Sequence, residues 1–128
     1  MRPQDARGSA VVEFALVLPL LLTVALAVLQ LGLLAKDLMI VQEAARAGAR
    51  QASVSRDDAS VVQAVSDAAT GLGSAGLSTT VRRSPALGTP ATVEVEYEAP
   101  VSLPLLGWLL PPNVRLSSDA TMRQETGG

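Results

Sequence analysis

The groups able to do chemistry in this 128-residue chain are almost all carboxylates. Twelve Asp and Glu stand against ten Lys and Arg, and neither Cys nor His occurs. Without thiols there is no disulfide, thiolate nucleophile or sulfur-ligated metal. Without imidazole there is no Ser–His–Asp triad and no histidine-ligated metal. Carboxylate chemistry is open at two places. Glu94, Glu96 and Glu98 alternate, which puts them on one face of a strand, and Asp57 and Asp58 are adjacent. Three aligned glutamates can hold a cation, but more commonly they are the wet face of a half-buried sheet. Nothing sets the two groups opposite each other in a cleft, so the chain reads as a non-enzyme that calls for no cofactor and no metal. A net charge of −2 gives no electrostatic footprint for nucleic acid.

A different pattern opens the chain. Glu13 is the fifth residue after Gly8, and charge then stops. Residues 14–35 form an uncharged run of 22, interrupted only by Pro19, Thr23, Gln30 and Gly32. As a helix this run spans about 33 Å, matching a hydrocarbon core of about 30 Å. A chain this short cannot wrap a helix that is apolar all round. A cleaved secretory signal is the rival reading, but its apolar region is typically about 7–15 residues and ends in an A-x-A-like site. Residues 32–36 offer only a weak version of that site.

A carboxylate at the head of a spanning helix needs a reason. Translocon scales place an acidic residue at the helix centre at about 2.5–3.5 kcal/mol, and less near the interface. The simplest reading of Glu13 alone is a solvated flank. If the chain were cut after Gly8, however, Ser9 would present a new α-ammonium. On a neighbouring subunit, that amine would neutralise Glu13 in low dielectric. Flanking charges do not settle orientation. Arg2 and Arg7 precede the run and Lys36, Arg46 and Arg50 follow it, which slightly favours the reverse of the orientation adopted below.

The segment RGSAVVEFALVLP, residues 7–19, resembles the N-terminus of type IV pilin-like precursors. More closely, it resembles the TadE-like minor pseudopilins of the tight-adherence (Flp-type) pilus system. The resemblance implies cleavage by a prepilin peptidase on the cytoplasmic side, after Gly8 and before Ser9. It assigns Glu13, the fifth mature residue, to recognition or subunit registration. Phe14 follows, where major pilins of that system usually carry Tyr, and this departure favours a minor subunit. The partners implied are the prepilin peptidase, other pilins or pseudopilins through helix packing, the pilus assembly machinery and the lipid bilayer. The place implied is the cytoplasmic (inner) membrane, single-pass, N-terminus inside and C-terminal domain outside, with entry into the extracellular filament left open. Residues 42–53 and 120–125 resemble the same family more weakly. An uncleaved, single-pass, membrane-anchored binding module with an extracytoplasmic domain is the alternative.

Around this site the expected fold is α+β, a long N-terminal helix followed by a short helix and a small antiparallel sheet of about three strands. The expected divisions are a leader (1–8), a transmembrane half-helix (9–35), an exported amphipathic half-helix (36–54) and a small extracytoplasmic domain (55–128). The distal half-helix carries Ala44, Ala45, Gly48 and Ala49, small residues four apart that permit close helix approach. They suit either a neighbouring helix or the chain's own domain. Asp57 or Asp58 caps a second helix over residues 58–70. Strands are expected around Leu77 to Val81, Val93 to Tyr97 and residues 113–123, with 84–90 as a hairpin loop. In residues 100–112, four prolines forbid a long helix or central strand. Leu105, Leu106, Trp108, Leu109 and Leu110 there either cover the core or face a partner or membrane surface. Partial core coverage is the favoured reading, because the small domain has few other large apolar residues.

Overall fold

The structure, a computed structural model, describes residues 3–86, 88–102, 107–108 and 110–125, with side chains from Arg7 onward. Helix α1 runs Pro3–Val54 without a break, 52 residues. It begins earlier than the expected residue 9. Proline at a first helical position is preorganised for the helix and loses no bond there. Pro19 lies inside α1. Close by, the Thr23 hydroxyl donates to the Pro19 carbonyl at 2.8 Å, so this hydroxyl is satisfied inside the apolar run.

Helix α2, Asp58–Ala68, is held at its start by Asp57. The two carboxylate oxygens of Asp57 accept from the Ala59 and Ser60 amides at 3.2 Å each, which satisfies two otherwise orphan donors. α2 stops short of residue 70. The Ala69 amide donates to both the Val65 and Ser66 carbonyls, and a 3-10 turn at Ser74–Gly76 leads into the sheet.

The sheet is β1 (Leu77–Arg83), β2 (Pro90–Pro100) and β3 (Asn113–Arg123), antiparallel in the order β1-β2-β3. In register, Leu77 pairs with Tyr97 and Arg83 with Ala91 across β1 and β2, while Pro90 pairs with Arg123 and Pro100 with Asn113 across β2 and β3. The β1–β2 connection turns at Gly88, whose φ of 77° lies in the left-handed region that glycine tolerates best. The chain is α+β, as its residue pattern implied.

The core is built from small residues. The inward side of β2 buries Ala91, Val93, Val95, Tyr97 and Ala99. Against it lie Val41, Ala44, Ala45, Ala49 and Ala52 of α1, with Val61 and Val65 of α2 and Ala69 just beyond it. A methyl group on Gly48 would lie 2.6 Å from Val65 Cγ2 and 2.9 Å from Val93 Cγ1. With no bulky side chain between them, helix and sheet come close, and a dry core forms with a single buried ring. Tyr97 is that ring, and its hydroxyl accepts from the Gly73 amide at 3.4 Å.

Candidate functional site

The N-terminal site is entirely helical. Gly8, Ser9, Glu13 and Phe14 all lie in α1 and are exposed. Ser9 and Glu13 are four apart and share a helix face. Ala10, Glu13, Phe14 and Val17 line a shallow open groove along that side, so the Glu13 carboxylate stands among apolar neighbours. Among the described residues Glu13 has no ion pair. Apart from its chain neighbours and the helix's own backbone, no atom of the described residues lies within 4 Å of the position a Gly8 side chain would take. The described residues therefore give no steric reason for glycine at position 8. The contrast with Gly48, whose side-chain space is filled, makes this informative. A glycine inside a helix costs about 1 kcal/mol relative to alanine, so Gly8 locally weakens the helix without serving internal packing.

Beyond this site α1 is apolar and bare. Leu16 is 74% exposed, and Leu20, Leu21, Leu22 and Val24 are all exposed. The helix is long and apolar enough to cross a membrane, and an 18-residue window of it has nothing buried inside the chain. Exposed apolar surface of this extent is abnormal for a water-facing monomer.

The small-residue stripe is spent within the chain. Ala44, Ala45, Gly48 and Ala49 are all buried, in a core shared with α2 and β2. Of the two occupants that suited it, the structure favours the chain's own domain. Gly32 is on the bare side, and no atom lies within 4 Å of the place a methyl group there would take.

Of the five carboxylates that could have done chemistry on the strand and at the α2 start, four have structural partners, and Glu96 has no ion pair among the described residues. Glu94 pairs with Arg82 at 3.0 Å and Glu98 with Arg115 at 3.6 Å. Asp57 caps α2, and Asp58 pairs with Arg83 at 2.9 Å. Among the described residues, no group of three His, Cys, Asp or Glu could hold a metal ion. At the far end of α1, Arg83 also donates to the Ser55 carbonyl at 2.7 Å. Arg83 lines a cleft of ≈ 280 Å³ together with Arg56, Ser84, Pro85 and Gln124.

In the 100–112 segment, Trp108 is 80% exposed and Leu110 is half-buried. Leu105, Leu106 and Leu109 lie outside the described residues. Trp108 thus takes no share in core coverage. The residue that sequence reasoning passed over is Gln30. It is only 3% exposed and its Oε1 has no hydrogen-bond partner among the described residues, although it sits inside the uncharged run. Its signal was its position as the one amide in that run.

Residues 8–50 match a family model described as TadE-like protein. The match begins at Gly8 and ends at Arg50, so it covers the N-terminal site and most of α1 but neither α2 nor the sheet. The weaker resemblance of residues 120–125 falls outside it. No curated protein and no solved structure matches this chain.

Proposed function

We propose, from the match of residues 8–50 to the TadE-like family model, that this chain is a minor pseudopilin of a tight-adherence pilus. In this reading a prepilin peptidase removes residues 1–8 on the cytoplasmic side. The exposed apolar half of α1 anchors the mature chain in the cytoplasmic membrane, and the sheet domain stands outside it. The work is mechanical and structural rather than catalytic. Anchors pack side by side and support a filament driven by other components.

One observation carries the reading. The matched segment opens on a glycine for which the fold has no steric use, five residues before a carboxylate that has no ion pair among the described residues. Both residues gain a purpose from events outside the chain. Cutting after Gly8 creates an α-ammonium at Ser9. That cation on a neighbouring subunit would compensate Glu13 where water is scarce. The cut must reach a peptide bond that is helical in this structure. A glycine at that position lowers the cost of locally unwinding it.

The deciding experiment is an intact-mass and N-terminal determination on protein extracted from membranes. A chain beginning at Ser9 is expected. One retaining Met1, or beginning near Lys36, overturns the maturation step and leaves a tethered module or a cleaved signal instead.

A further inference from the structure

Beside the C-terminal end of α1, the cleft of ≈ 280 Å³ is lined by Arg56, Arg83, Ser84, Pro85 and Gln124. All five lie among the described residues. Three parts of the chain meet there. Arg56 belongs to the link between α1 and α2, Arg83 to Pro85 end β1 and begin the hairpin turn, and Gln124 directly follows β3. Backbone bonds hold these parts together. The Gln124 amide donates to the Thr89 carbonyl at 3.2 Å, and the Glu125 amide donates to the Ser53 carbonyl at 3.0 Å. The end of β3 is thus pinned between the hairpin and the top of α1.

The lining supplies donors and positive charge but no acid. Two guanidinium groups belong to it and no carboxylate does. The Arg83 side chain is already anchored, with Nη1 donating to the Ser55 carbonyl at 2.7 Å and Nη2 paired with Asp58 at 2.9 Å. Its Nε is buried and has no hydrogen-bond partner among the described residues. Gln124 is only 8% exposed, and its Nε2 is likewise buried without a partner there. Arg56 is exposed and makes no ion pair among the described residues. Buried N–H groups without an acceptor are costly and rare. Here two of them belong to residues that line one cleft, and other bonds hold both residues in place. Asp58 offsets one of the two guanidinium charges and leaves the other over.

We propose that this cleft is a carboxylate-binding site, in which the two oxygens of one carboxylate accept from Arg83 Nε and Gln124 Nε2 while Arg56 supplies the opposing charge. An ionised carboxylate is acceptor-only and has two oxygens, so it matches two donors that lack acceptors. Its single negative charge matches the one uncompensated guanidinium, and charge strengthens the bonds it makes. Water can also accept, but it brings no charge to offset Arg56. The site depends neither on cleavage after Gly8 nor on α1 spanning a bilayer.

The test uses the full chain, nitrogen-15 labelled, in neutral detergent micelles. Sodium acetate is titrated against sodium chloride at matched ionic strength, and the side-chain Nε–H of arginine and Nε2–H of glutamine are followed by NMR. Saturable shifts at Arg83 and Gln124 with acetate, and none with chloride, are expected. A glutamate blocked at both backbone ends is the second probe. Tighter binding than acetate identifies a protein side chain as the source of the carboxylate, and equal or weaker binding identifies a small free acid; either supports the site. Inorganic phosphate is the third probe, and tighter binding than both carboxylates overturns the choice of ligand. No saturable shift with any probe means that water or the chain itself satisfies the donors, and overturns the site. Arg56→Gln is expected to weaken acetate binding about tenfold, and unchanged affinity overturns the charge argument. Gln124→Glu supplies the carboxylate from within the chain. It should abolish acetate binding and raise the thermal midpoint, whereas a midpoint below that of the parent chain shows that no donor there awaits a carboxylate and overturns the proposal.

Discussion

Gly48 of α1 and Val65 of α2 meet so closely that a methyl group on the glycine would lie 2.6 Å from the valine Cγ2. This contact sets the distance at which both helices and the sheet converge. Gly48→Val should therefore destabilise the domain by about 1–3 kcal/mol, the usual cost of overpacking a filled core. Gly32→Val, where an added Cβ meets no described atom within 4 Å beyond the helix's own backbone, should leave the unfolding midpoint nearly unchanged. Denaturant unfolding of the detergent-solubilised chain compares the two, and equal midpoints would refute the packing account.

No described side chain crowds Gly8, so substituting it tests processing rather than folding. Gly8→Val should leave helix content unchanged by circular dichroism while precursor accumulates. Pulse-labelling followed by gel separation of precursor and mature forms provides the readout. Normal conversion of this variant would sink the assignment of the cleavage site.

Glu13 is exposed and has no ion pair among the described residues, so removing it should cost the isolated chain little stability. Glu13→Ala should insert into the membrane normally yet fail in assembly, because the freed Ser9 amine next door loses its counter-charge. Piliation scored by microscopy, alongside membrane fractionation, separates these outcomes. Wild-type pili from this variant would remove the pairing idea.

Arg83 fastens the β1–β2 hairpin to the top of α1. Its side chain is 16% exposed and donates to the Ser55 carbonyl, whereas its ionic partner Asp58 is 68% exposed. The buried end should matter more than the ionic one. Arg83→Ala is expected to cost about 1–3 kcal/mol through the lost charge-assisted bond. Asp58→Ala is expected to cost about 0–1 kcal/mol, as exposed pairs do. Unfolding midpoints of the two variants should differ in that order, and a reversed order would contradict it.

Much of the fold was legible in the residues because each element carried its own local signal. The run at 14–35, the alternation of Val93, Val95 and Tyr97 with three glutamates, and the capping aspartate at 57 are patterns of neighbours in the chain. They need no knowledge of distant residues. The N-terminal candidate site stood out for the same reason, since Gly8, Ser9 and Glu13 lie within six positions of one another. The expected role of the leucine- and tryptophan-bearing segment as core cover did not hold for Trp108. The sequence suggested that a core must be short of rings. The structure shows that alanine, glycine and valine close the gap by bringing the backbones together.

From the sequence alone, then, come the long helix, its apolar half, the strand alternation and the spacing between a helix-weakening glycine and a carboxylate. These follow from covalent order and side-chain type. Tertiary structure alone decided that the stripe of Ala44, Ala45, Gly48 and Ala49 is used inside the chain, and that Arg83 reaches Ser55 and Asp58. Each of these depends on the direction in which the sheet lies along α1. That direction is set by which small residues allow close approach at long range, a property of the packed surfaces that local patterns do not carry.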